Sequence, residues 1–205
     1  MDNYGKHMFT EAVQAEQDQL GMRERFQQVY RNRFTDGLNE DTNAFIQSRT
    51  SFYMATVSET GWPYVQHRGG PPGFLKVIGE DTIGFADYTG NKQLISKGNL
   101  SGNDKVSLFL MDYPRRARLK LIGHAEMLNA DEDPALAEQL AVEGEGPVER
   151  LVRIRVAAYD WNCSKYIVPR YNETEVEAIL GPTIRTLKEE NERLKALLAE
   201  KENNE

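Results

Sequence analysis

The chain has 205 residues, 40% of them hydrophobic and 28% charged, with a net charge of −7 at pH 7. That length and balance suit one globular domain with appendages and a core of its own. The acidic balance argues against a nucleic-acid binder, which carries a basic surface, and no stretch approaches the roughly 20 apolar residues of a membrane span. The single cysteine, Cys163, precludes an intrachain disulfide. With a polar Met1–Thr10 that lacks an apolar run, the expectation is a cytoplasmic protein.

Residues 1–50 are predicted to be helical. Phe9, Val13, Leu20, Phe26, Val29, Tyr30 and Phe34 recur at near-helical spacing, with a break at Gly21 and an end at Gly37. Asp41 or Thr42 is the expected cap of a short helix carrying Phe45 and Ile46. From Ser51 the period changes. Phe52–Val57 and Trp62–Arg68 form a predicted hairpin across Glu59-Thr60-Gly61. Phe74–Ile78 and Thr82–Ala86 form another across Gly79-Glu80-Asp81. Lys105–Met111, Leu119–Leu128 and Val148–Tyr159 complete the strands, and Gly123 is a candidate bulge. In the last strand Val152, Ile154, Val156 and Ala158 are the expected buried face.

Short helices are expected at about Lys92–Lys97 and Pro134–Val142. At the C-terminus Glu173–Leu180 reads as a helix that Gly181-Pro182 breaks, with Pro182 opening a new one. Ile184, Leu187, Asn191, Leu194 and Leu198 then follow 3-4 spacing, an a/d seam with a polar a position. That seam suits either a short coiled coil between subunits or a helix packed on its own domain. The resulting fold class is mainly β with attached helices: an antiparallel sheet of six or seven strands closed into a barrel, since closure removes sheet edges. The divisions are an N-terminal helical extension (1–42), a barrel domain (43–172) and a C-terminal helical segment (173–205).

Two stretches carry chemistry. Arg68-Gly69-Gly70-Pro71-Pro72-Gly73-Phe74 sets a guanidinium beside glycines that permit close backbone approach. Tyr88-Thr89-Gly90-Asn91-Lys92-Gln93 lies between a strand and a helix, where free N–H groups bind anions and Thr89, Asn91 and Lys92 add donors. The same residues also suit a tight turn with a solvated arginine and an ordinary helix cap. They serve one ligand only if the fold joins them. No G-x-G-x-x-G fingerprint or Walker loop is present. His7, His67 and His124 are far apart and none makes a ligand pair with Cys163, so no metal site is expected. Trp161, in Asp160-Trp161-Asn162-Cys163, follows the last strand and suits either a barrel plug or a cover for an aromatic ligand.

Between Phe45 and Leu128 the chain resembles the flavin-binding split barrel of the pyridoxamine 5′-phosphate oxidase family. The marks run in order: Ala55-Thr56-Val57, Gly61-x-Pro63-Tyr64-Val65, Gln66-His67-Arg68, Phe74-Leu75-Lys76, Tyr88-Thr89 before Asn91-Lys92, Val106-Ser107-Leu108 and Ile122-Gly123-His124-Ala125-Glu126. The resemblance implies a homodimer with FMN at the subunit interface. It implies that Gln66, His67 and Arg68 meet the flavin ring or ribityl chain, with Lys76 a further ring or phosphate partner. Tyr88, Thr89, Asn91 and Lys92 would hold the phosphate, Ser107 would sit near the ring, and Trp161 would come from the other subunit. The glycine-proline insert and the C-terminal helices depart from the vitamin B6 enzyme, so pyridoxamine phosphate oxidation is not expected. The expected function is oxidoreduction between NADH or NADPH and a small acceptor. F420 or haem are alternative ligands of such a barrel, and a non-enzymatic flavin sensor is the alternative role. No catalytic side chain is assigned.

Overall fold

The structure, a computed structural model, describes residues 1–31, 37–161 and 164–202. Phe34, Asn162 and Cys163 therefore lie outside the described residues. Four helices open the chain: α1 (Tyr4–Met8), α2 (Glu11–Gln19), α3 (Arg23–Arg31) and α4 (Glu40–Gln47). Gly21, with φ +64°, separates α2 from α3. The apolar series divides by residue type. Phe9 meets Phe26 and Tyr30 edge to face, with ring centroids 5.7 and 5.1 Å apart. The aliphatic members Val13, Leu20 and Val29 stay exposed. The cap of α4 is Asn39, whose side chain accepts from the Thr42 amide at 2.9 Å. Asp41 and Thr42, the two expected caps, instead lie inside the helix, Asp41 in the first turn, where the helix dipole favours a carboxylate.

Seven strands follow: β1 (Ser51–Val57), β2 (Pro63–Gly69), β3 (Lys76–Val77), β4 (Thr82–Tyr88), β5 (Lys105–Asp112), β6 (Ala117–Asn129) and β7 (Val148–Trp161). They form one antiparallel sheet in the order β2-β1-β5-β6-β7-β4-β3. Helix α5 (Ile95–Gly102) links β4 to β5, and α6 (Pro134–Leu140) links β6 to β7. Strands β1, β5 and β7 alternate buried with more exposed positions over most of their length, while β4 and β6 each carry three consecutive buried residues. Phe52, Met54, Phe85, Leu108, Leu110, Leu121, Val152 and Ile154 point into one core. A smaller core gathers Leu136, Leu140 and Leu151 beneath α6.

Strand β3 is shorter than expected. Gly73 donates its amide to Gln47 O at 2.7 Å and Phe74 to Pro71 O at 3.0 Å. Phe74 and Leu75 are thereby folded into the core before pairing begins. The sheet also curls strongly. Phe52 of β1 lies 5.4 Å from Phe85 of β4 and stacks at 5.8 Å on Phe74, although three strands separate β1 from β4 in the sheet order. This is the split barrel: hydrogen bonds run round most of the circuit and side chains close the rest.

Residues 113–116 and 166–205 form a second compact unit. Its main element, α7 (Glu173–Glu202), is one continuous helix of 30 residues. Asn172 and Glu175 cap it reciprocally, each accepting the other's backbone N–H at 2.8 Å. The expected break at Gly181-Pro182 is thus corrected. Pro182 removes one intrahelical bond, but the surrounding turns hold. Glu177 reaches past it to Arg185 at 3.0 Å, and Thr186 Oγ1 donates to Pro182 O at 3.2 Å. Gly181 makes room for that bridge, because a Cβ there would lie 2.3 Å from Glu177 Oε1.

The β6–β7 ladder shifts register between Ile122 and Gly123, the expected bulge. A Cβ on Gly123 would sit 2.4 Å from Arg155 O, so the two backbones approach too closely for any side chain. We expect Gly123→Ala to lower unfolding free energy by about 1–3 kcal/mol in urea titrations. Gly146→Ala, where a Cβ meets nothing within 4 Å, should lie within about 0.5 kcal/mol of the parent.

Candidate functional site

The barrel's split is bridged by an ion-pair cluster. Arg68, on β2, binds Asp87 of β4 through Nη1 and Oδ1. Arg150 of β7 binds the other oxygen of the same carboxylate, Nε to Oδ2 at 2.7 Å. All three side chains are largely buried, at 16%, 11% and 14% exposure. Asp87 and Arg150 face each other in register, and the β4–β7 ladder then shifts so that Glu149 is skipped opposite Tyr88. That irregularity lets adjacent residues turn to the same place. Glu149 binds Arg150 Nη1 at 2.9 Å and accepts from Thr89 Oγ1 at 2.7 Å.

Beside this cluster lies a cavity of about 320 Å³, within the range of small-molecule sites. Its walls include Gln66 and Arg68 from β2, Asp87 and Tyr88 from β4, Gly90–Leu94, the first turn of α5, and Arg150. Phe74, Phe85 and Met127 add an apolar surface. The segment before α5 is unusual: Lys92 and Leu94 both adopt left-handed conformations, with φ of 58° and 54°. Non-glycine residues in that region are uncommon and cluster at functional sites. They also explain why α5 starts at Ile95 and not at Lys92. Asn91 does not cap the helix. It folds back to accept from the Gln93 amide at 3.2 Å. Leu94 occupies the cap position and gives no side-chain bond, so the first turn of α5, whose residues line the cavity, has no side-chain cap among the described residues. A buried bond from Asn99 to Thr56 Oγ1, 2.9 Å, fixes the helix to β1.

The sequence-predicted residues divide clearly. Gln66, Arg68, Tyr88, Asn91 and Lys92 converge on this cavity, with His67 at its edge. Strand alternation turns His67 to the opposite face, exposed, against the Tyr53 ring at 5.6 Å. Gln66 accepts from Ser96 Oγ at 2.8 Å, which leaves its amide N–H groups available. Tyr88 accepts from the Val142 amide at 2.8 Å and so anchors the wall after α6. Four residues do not line the cavity. Lys76 Nζ donates to Gln139 O and Ala141 O, at 2.7 and 3.0 Å, satisfying the end of α6. Thr89 is engaged by Glu149. Ser107 is exposed on β5, paired with Ala55 and Ile122. Trp161 packs edge-on to Phe45 at 4.7 Å and is 38% exposed.

Sequence reasoning missed Arg150 and the role of Asp87. The signal was a Glu-Arg pair at the start of β7. Its meaning depended on the β4–β7 register. Arg68 Nε is buried and, among the described residues, meets no acceptor. Lys92 lies near Glu149 and helps hold that carboxyl low. The main cause is the Thr89 hydroxyl bond, with Arg150 adding to it. Burial works against the Arg150 charge, but Asp87 and Glu149 outweigh it and raise its pKa.

The model of the pyridoxamine 5′-phosphate oxidase family matches residues 38–160, from just before α4 to the end of the sheet. The chain belongs to that family. Among solved structures, the HupZ protein of Group A Streptococcus is 17% identical, with a TM-score of 0.50 over 65% of this chain and 98% of that one. A Clostridium acetobutylicum protein related to general stress protein 26 is 19% identical, with a TM-score of 0.44 over 60% and 85%. An FMN-binding protein of Syntrophomonas wolfei subsp. wolfei is 14% identical, with a TM-score of 0.44 over 70% and 96%. No curated protein matches the chain. Among the described residues, no helix is long and apolar enough to cross a membrane.

Two outcomes follow from the cluster. Asp87→Asn strands the buried Arg68 guanidinium and leaves Arg150 with Glu149 alone, and should lower unfolding free energy by about 3 kcal/mol. Asp87→Asn with Arg150→Met should recover part of that loss in the same denaturant titration. The folded pKa of Glu149 lies below its ordinary 4.5. Its contribution is therefore present above about pH 4.5 and is lost as pH falls through the depressed value. Thr89→Val should move the Glu149 carboxyl midpoint upward, as read by NMR titration.

Proposed function

We propose that the chain binds FMN in the cavity between Arg68 and Lys92 and acts as a flavin-dependent oxidoreductase, moving hydride or electrons between a reduced nicotinamide and a small acceptor. The observation that carries this is the convergence on one cavity of a buried guanidinium with an unsatisfied Nε, an ammonium and the open start of a helix, in a member of this family. The residues fit the group. A phosphate needs several charge-assisted donors, and Lys92 with the first N–H groups of α5 supplies them. Arg68 Nε and the Gln66 amide offer donors to the polar edge of a flat heterocycle. Phe74, Phe85 and Met127 give its apolar face a surface.

FMN, when bound, supplies the two-electron redox chemistry. The chain supplies placement. Asp87 and Arg150 hold Arg68 in one orientation, so its free donor is aimed before ligand arrives. Ser96 does the same for Gln66. No side-chain acid or base is assigned, and pyridoxamine phosphate oxidation is not part of the reading.

Arg68→Ala with Lys92→Ala removes two charge-assisted donors and should weaken FMN binding by roughly 10²–10⁴-fold. Quenching of flavin fluorescence reads the change. Lys76→Ala, whose ammonium serves α6, should bind within about twofold of the parent. A double variant with parental affinity would displace the ligand from this cavity. The FMN-loaded chain should consume NADH or NADPH when an acceptor is present. A yellow protein that never does so would be a binder and not an enzyme.

A further inference from the structure

We propose that α7 pairs with α7 of a second copy of this chain, as a parallel, in-register, two-stranded coiled coil. This goes beyond the flavin reading and stands without it. The continuity of the helix through Pro182 lengthens the apolar seam. It now runs Leu180, Ile184, Leu187, Asn191, Leu194 and Leu198 in unbroken 4-3-4-3-4 spacing, about 27 Å of helix. The five leucine and isoleucine side chains on it are 45–62% exposed. In that register Pro182 occupies an outward f position, where a missing N–H and a bulky ring do not disturb a partner.

The chemistry of the seam identifies the occupant. With Ile184 at a, Asn191 is the next a residue. A single a-position asparagine matches its own copy across a parallel two-stranded interface and fixes its register. The flanking charges agree. Glu190 is at g and Lys195 at e of the next heptad. In a parallel pair each Glu190 faces Lys195 of the other strand, twice over by symmetry. An antiparallel pair that keeps the whole seam in register would set Glu190 against Glu190 and Lys188 against Lys188, a repulsive arrangement. Lys195 bonds Glu192, 2.8 Å away in an exposed contact, which an interchain partner can replace at little cost.

The test is disulfide trapping in the full chain, with the single cysteine removed by Cys163→Ser. Ile184→Cys and Leu194→Cys, which face each other in an antiparallel pair that keeps the whole seam in register, are placed separately, and each variant is equilibrated in a glutathione redox buffer. Parallel pairing brings each position against itself, so each variant alone should form a covalent dimer. Cross-linking only when the two variants are mixed would mean antiparallel packing and overturn the proposal. No cross-link in any sample would mean that α7 lies on its own chain or alone, with the same consequence. On the Ile184→Cys background, Glu190→Lys should reduce the trapped fraction roughly tenfold. Glu190→Lys with Lys195→Glu should restore it. An unchanged fraction in Glu190→Lys would refute the charge pairing that sets the orientation.

Discussion

The structure depends on one constraint: a curled sheet whose ends do not hydrogen-bond must be held shut by side chains. Strands β2 and β4 stand far apart in the sheet order, yet Arg68 and Asp87 are bonded across the gap. Inside, Phe52, Phe74 and Phe85 supply the apolar half of the closure. At the rim, two guanidinium groups share one carboxylate. Burying three charges is expensive, and the arrangement persists because each member has an opposite neighbour. Glu149 pairs with Arg150 in turn, so the closure that completes the fold is itself charge-balanced, and Lys92 adds a further cation to the cavity wall.

The second wall of the cavity is built from strain. Lys92 and Leu94 hold left-handed backbone at positions that glycine would occupy at lower cost. The result is a chain that arrives at α5 without a side-chain cap, in the wall of the same cavity as Arg68. An ordinary asparagine cap at that position would have satisfied a donor of the first turn. Tyr88 and Asn99, each tied to a neighbouring element, keep this awkward segment in place.

Much of the architecture was legible from period-2 alternation, because β1, β5 and most of β7 have one buried face. The Gly123 bulge and the β1–β2 hairpin were readable from local sequence for the same reason. What could not be read were features set by register or tertiary contact. Arg150 looks like any charged residue in a strand until β4 and β7 are aligned. Lys76 looked available as a ligand, but the carbonyls at the end of α6 claim it. Pro182 is a sound reason to end a helix, but Glu177 and Arg185 carry α7 through it. Asn39 was a better cap than Asp41 because the chain direction after Gly37 places its side chain over the Thr42 amide. The convergence of the two distant loops was inferable only from the family resemblance. Spacing alone left each with an ordinary explanation as a turn or a cap.

The central claim is that this cavity grips a flavin chiefly by its phosphate. Parallel titrations of the ligand-free chain with FMN and with riboflavin, which differ only by that group, test it most directly. The account expects riboflavin to bind at least about 100-fold more weakly, the loss of two or more charge-assisted hydrogen bonds. Equal affinity for the two, or affinity for neither, would contradict it.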